Sequence, residues 1–167
     1  MTILFLIGIH AFIGFIMILF TWIFYLITKR HTIIDITWAL GFIVHAIFDG
    51  VYFLYLNPLT SLTTLLTITT LLLCIFLWGL RLALFLFITR ILKGHEDKRY
   101  QSIRKSYGSA PHFNTCLNFL LQGFLQLVVS ISFIPLVFAD TVLPVPIIIT
   151  NIALIAIAGE FLSDWQL

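Results

Sequence analysis

Side chains that can hold charge or a proton fall inside or at the ends of long apolar runs, among them Asp35, His45, Asp49, Arg81 and Glu160. Asp164 follows one helical turn after Glu160 in the closing stretch GEFLSDWQL. A charge within a membrane span costs about 2.5–3.5 kcal/mol on insertion scales, so such residues mark functional candidates by default. Their spacing groups them. Asp35, Trp38, Phe42, His45 and Asp49 recur at intervals of three and four, which stacks them on one helix face. Thr67, Thr70, Cys74, Trp78 and Arg81 make a second stripe, and Asn118, Gln122 and Gln126 a third. These residues permit three readings: a structural lock in which Arg81 pairs with Asp35 or an acid of the last span, a polar catalytic or binding cavity, or a transport path. His45 and Asp49 sit nearer the other side and suit an interhelical contact better than a chemical role.

The elements that position them follow from composition. Of 167 residues, 61% are hydrophobic and 10% charged, and the mean hydropathy is +1.13. That excludes a soluble globular domain and predicts an all-α, polytopic membrane helix bundle. Apolar runs predict spans over residues 3–27, 33–56, 62–88, 116–138 and 145–163, with a polar connection over 89–115. The first run has no basic segment before it and no small-residue cleavage site, so it reads as a retained helix. Eight of the nine Lys and Arg residues flank the first and third connections, whereas NPLTS and ADTVLPVP hold none. By the positive-inside rule the N-terminus lies outside and the C-terminal end in the cytoplasm. This integral multi-pass protein belongs in the inner membrane if its source is bacterial. The same distribution makes the net charge of +2 an orientation signal and not a nucleic-acid footprint. Pro58, Pro144 and Pro146 mark the outer turns, and Pro135 is expected to kink the fourth span.

On that topology Arg81 lies nine residues before Arg90, about 13 Å inside the cytoplasmic boundary. Asp35 opens the second span on the same side, and Glu160 and Asp164 close the fifth there. The 89–115 connection contains EDKRYQSIRKSYG, which places Tyr100, Ile103 and Tyr107 on one face of a short interfacial helix closed by Gly108. Its Arg99, Arg104 and Lys105, with Arg90 and Lys93, suit a dinucleotide phosphate, anionic lipid, or topology alone. Cys74 and Cys116 lack metal-ligand spacing, so no metal site is expected, and no glycine-rich nucleotide fingerprint or nucleophile elbow occurs.

Five segments occur in an order that resembles a known membrane family: IIDITWALGFI, LWGLRLALFLFITR, GHEDKRYQSIRKSYG, NFLLQGFLQLVVSI and GEFLSDWQL. The family is domain of unknown function 1295, related to steroid 5-alpha-reductases, and the likeness runs from Ile33 to Leu167. It implies a bundle of about seven helices that takes NADPH from the cytoplasm and reduces a carbon–carbon double bond conjugated to a carbonyl in a lipid. The motif positions are Asp35, Trp38, Trp78, Gly79, Arg81, Glu96, Asp97, Arg99, Tyr100, Gln122 and Asp164. Asp35, Trp78 and Arg81 become the catalytic candidates, and Arg81, Arg99 and Asp164 the cofactor-binding ones. Trp78 stands where the steroid reductases place a tyrosine against the substrate carbonyl, so the steroid substrate is not inherited. Family members continue past DWQL with an Arg-His-Pro-Asn-Tyr element and two more helices. The expectation is therefore a truncated, decayed or split reductase, inactive alone or completed by a second, C-terminal polypeptide. The alternative is a non-enzymatic membrane protein that binds lipid or assembles with a partner. Expected partners are the bilayer and an apolar lipid substrate, with no nucleic acid.

Overall fold

Long apolar runs leave a backbone no water to bond to, and helices answer every N–H and C=O within the segment. In the computed structural model, which describes residues 2–94, 98–108, 111–132, 134, 151–152, 155–160 and 162–163, helix is the only regular structure among the described residues. The helices are α1 (Thr2–Thr28), α2 (Ile33–Leu56), α3 (Leu62–Leu86), α4 (Lys98–Ser106) and α5 (Pro111–Ile131). α3 runs on into a π-helical turn, Phe87–Leu92. Four of these segments among the described residues are long and apolar enough to cross a membrane: α1, α2, α3 with its π turn, and α5. The chain is thus an all-α polytopic bundle.

Two boundaries differ from the hydropathy reading. The third crossing extends to Leu92 instead of residue 88, and α5 begins at Pro111 instead of Cys116. Polar His112 and Asn114 hide that first turn from a hydropathy scan. Proline at the first helical position suits it, because the N–H it lacks would have no helical partner there. The expected connection 89–115 therefore holds the end of the π turn, α4 and the start of α5. Pro135 and residues 145–150, 153–154 and 161 of the expected fifth span lie outside the described residues, whereas 151–152, 155–160 and 162–163 are helical.

Local chemistry sets the ends. Lys29 stops α1 in the left-handed region, at φ 57°, with its N–H on the Tyr25 carbonyl at 2.7 Å. Ser61 caps α3, its hydroxyl accepting the Thr64 N–H at 3.1 Å. Gly108, at φ 56°, lies just past α4 as its sequence position suggests. Arg30 donates to the Arg90 and Ile91 carbonyls at 3.0 and 2.7 Å, placing a cation on the C-terminal carbonyls of the π turn.

α2 packs against α1, α3 and α5, and α1 also packs against α5. The stripe on α2 faces inward: Phe42, His45 and Asp49 are buried. On α3 the stripe is only partly so. Cys74 is buried, but Thr67 and Thr70 turn their hydroxyls onto Thr63 and Leu66 of their own helix. Such back-bonding satisfies a hydroxyl without a neighbour, which is why the spacing overstated this face. Small residues allow the close crossings. A Cβ on Gly79 would lie 2.9 Å from the Ala39 carbonyl and 2.8 Å from Ile43, and one on Gly123 would collide with Ile18.

Gly79→Val is expected to force α2 and α3 apart, at the roughly 1–3 kcal/mol typical of an overpacked contact. Gly8→Ala meets nothing within 4 Å and serves as the control. Thermal unfolding in detergent checks this: equal midpoints for the two variants would refute the close crossing.

Candidate functional site

Polar groups in the bundle gather in three places. The first is built on α3. Trp78 donates its indole N–H to Glu160 Oε2 at 2.8 Å, and Arg81 Nη2 lies 3.3 Å from the same oxygen. Residues 78 and 81 are one turn apart, so both reach one acid on the neighbouring helical stretch 155–160. Of the acids offered to Arg81 by its depth, Glu160 of the last span pairs with it. The pairing offsets the cost of holding either charge in hydrocarbon. Beside it, Cys74, Ile75, Trp78, Ala156 and Ile157 line an apolar cleft of about 220 Å³. Trp78 belongs to both, so an apolar cleft ends at a set of hydrogen-bonding groups.

Asp35 does not join that cluster. It accepts the Tyr100 hydroxyl at 2.6 Å and so ties α4 to the start of α2. Tyr100 is buried with Tyr25, Ile34 and Phe119, and Ile103 packs on this group. The apolar face of α4 therefore covers the bundle's end. Around it lie polar groups that the sequence pattern did not single out. His31 Nε2 is 2.8 Å from Thr115 Oγ1, and the His31 ring stacks on Tyr100 with centroids 6.0 Å apart. The Tyr25 hydroxyl stands 3.4 Å from His112 Nδ1. Tyr107 faces His31 at 6.2 Å, and burial, with the Tyr25 phenol second, pushes its own phenol above the ordinary tyrosine value. A basic run such as TKRH reads as a topology signal, which concealed His31.

The third cluster is in the other half of the bundle. His10 Nε2 bonds Asp49 Oδ1 at 3.0 Å between α1 and α2, and the His10 and His45 rings stack at 4.7 Å, 9° from parallel. All three residues are buried. This is the interhelical contact that suited His45 and Asp49, with His10 as the added member. A lone histidine in an apolar run has no spacing signal to reveal it. Among the described residues no group of His, Cys, Asp and Glu could hold a metal ion.

The remaining motif positions bind helices to one another. Trp38 donates its indole N–H to the Gln122 carbonyl at 3.1 Å, and Gln126 Nε2 returns a bond to the Trp38 carbonyl at 2.8 Å. Gly41 leaves the room for Gln126. Phe42 contacts Trp38 edge-on at 4.8 Å and Trp78 at 6.0 Å, bridging the α5 contact to the α3 cluster. Glu96, Asp97 and Asp164 lie outside the described residues, as does the side chain of Arg99.

The profile of the family described as Protein of unknown function (DUF1295) matches residues 21–167. The chain belongs to this family. No curated protein and no solved structure matches it. In this DUF1295 protein several of the motif positions named above meet one another: Asp35 with Tyr100, Trp38 with Gln122, and Trp78 with Arg81 through Glu160.

Two outcomes follow from these contacts. Tyr100→Phe removes a bond to a carboxylate, about 1.5–3 kcal/mol, and is expected to free α4. Limited proteolysis across 93–110 should then run faster than in the parent; an unchanged rate would show that this bond does not hold α4. Asp49→Leu strands buried His10 at about 1–3 kcal/mol, and adding His10→Phe should restore most of the loss, since removing both partners is nearly neutral. A thermal double-mutant cycle measures this, and additive losses would contradict the paired contact.

Proposed function

We propose that this DUF1295 protein is a membrane reductase that takes an apolar lipid carrying a conjugated carbon–carbon double bond, with NADPH as reductant. The observation that supports the reading is the junction at Trp78, where the apolar cleft meets the indole N–H, the Arg81 guanidinium and the Glu160 carboxylate. A lipid tail in the cleft would bring its carbonyl end to these donors. Reduction at the β carbon builds negative charge on the carbonyl oxygen, and donors already aimed there stabilise it without reorganising. Trp78 and Arg81 now point at Glu160, so the substrate oxygen would compete with that carboxylate for both.

NADPH, when bound, supplies the hydride. Its phosphates need cations, and the cytoplasmic end has them. Docking of α4 on the bundle brings the segment that bears Arg99, Arg104 and Lys105 to the end where α1 and α3 finish at Lys29, Arg30, Arg90 and Lys93. Arg30 is already committed to the π-turn carbonyls, so we assign the phosphate to Arg99 and its α4 neighbours together with Arg90 and Lys93. Arg81, already paired with Glu160, acts on the lipid side. Asp35, bonded to Tyr100, positions α4 and through it Arg99.

A second reading has its own support, the 3.3 Å Arg81–Glu160 contact. As a charge-balanced lock it fits a non-enzymatic protein that holds lipid in the same cleft. The two separate in nanodiscs that hold this chain together with a complementing C-terminal polypeptide, NADPH and a lipid-linked enone. The reductase reading expects saturable NADPH oxidation, with Arg81→Ala lowering kcat/KM by about a hundredfold, as for loss of one oxyanion donor. A protein that binds a fluorescent lipid in the cleft but shows neither saturable NADPH binding nor turnover would establish the non-enzymatic reading instead.

A further inference from the structure

A row of polar side chains runs inward from the surface at the basic end through an otherwise aromatic core. His112, in the first turn of α5, is exposed. Its Nδ1 lies 3.4 Å from the Tyr25 hydroxyl, which lies 3.5 Å from Thr115 Oγ1, which lies 2.8 Å from His31 Nε2. His31 is 1% exposed, and Thr115 is fully buried. Phe119 and Trp22 pack around Tyr25. Helix contacts of this kind need only a donor at one side and an acceptor at the other, as in the Gln126–Trp38 pair. Here every member is an imidazole, a hydroxyl or a phenol, groups that both donate and accept.

We propose that His112, Tyr25, Thr115 and His31 form a proton relay between water and the interior of the bundle. With His31 Nε2–H donating to Thr115, the Thr115 hydroxyl can donate to Tyr25 and the Tyr25 hydroxyl to His112 Nδ1. The opposite polarity fits the same heavy-atom positions. In an inward passage His112 gives its Nδ1 proton to the Tyr25 oxygen, Tyr25 passes its own to Thr115, and Thr115 passes its own to His31 Nε2. One proton leaves the surface imidazole and one arrives on the buried one, with each hydroxyl left neutral. Thr115 also donates to the Pro111 carbonyl at 2.7 Å, so its hydroxyl swings between that resting bond and the relay. The Tyr25 phenol must likewise turn to shorten its two long links. The titratable groups facing this row are Tyr100 on α4 and Tyr107 just past its end, with Asp35 of α2 bonded to the Tyr100 hydroxyl. His31 ends the row against the Tyr100 ring, whose hydroxyl is held by Asp35.

The relay would supply the proton that double-bond reduction consumes along with a hydride, and to that extent it rests on the proposed function. Its own test does not need turnover. In protein carrying ¹⁵N-histidine in detergent, exchange of the His31 ring proton with solvent is expected to slow about tenfold or more in Tyr25→Phe, which keeps the ring and removes the link. It should also slow in His112→Ala and recover when free imidazole is added to the buffer. Exchange at the parent rate in Tyr25→Phe, or no recovery with imidazole, would overturn the relay. If the enone assay shows no turnover while exchange behaves as expected, the reductase reading fails and the relay stands. If turnover occurs but exchange ignores Tyr25, the relay alone fails.

Discussion

A polar side chain within hydrocarbon has no water to fall back on, so it must meet its partner on another helix. That constraint organises this protein. Arg81 finds Glu160, His10 finds Asp49, Trp38 exchanges bonds with α5, and Asp35 holds Tyr100. Between helices the apolar side chains gain little from one another that lipid would not also give, so these contacts and the close glycine crossings define which faces meet.

Their distribution divides the bundle. In one half, His10, His45 and Asp49 form a compact buried set that joins α1 to α2. In the other, the polar groups reach the surface, cover the helix ends and border an apolar cleft. Docking of α4 accounts for much of this asymmetry. Its apolar face packs on Tyr25, Ile34 and Phe119, while Lys105 of the same helix is exposed. The end that has the cations is thus also the end that has the route inward and the acid–indole–guanidinium cluster. For chemistry that joins a water-soluble anion to a membrane-soluble lipid, these must lie at one end.

α2 carries the connections between these parts. Its Trp38 and Phe42 link the α5 contact to Trp78, its first turn supplies Asp35 to α4, and its far half supplies Asp49 to α1. The backbone of α3 approaches it at Gly79. A shift of α2 would therefore be felt at every polar cluster, which is a physical reason for three different helices to press on it.

The sequence by itself determined the class, the crossing helices and the inward face of α2, because apolar length and helical period are local properties that hydrocarbon enforces. It also placed Arg81 at a depth where an acid of the last span could reach it. It did not determine which acid that would be. Asp35, Glu160 and Asp164 were all candidates by depth, and the helix packing brings Asp35 to Tyr100 and Glu160 to Arg81. Nor did it determine the start of α5, whose first turn is polar, or the outward turn of Thr67 and Thr70, whose hydroxyls were satisfied by their own helix. His10 meets Asp49 and His45 across two helices, and Tyr25, His31 and the α5 pair His112 and Thr115 come from three segments, so these meetings were decided by tertiary structure alone. Depth is written along a single chain, but partnership between side chains depends on which helices stand side by side.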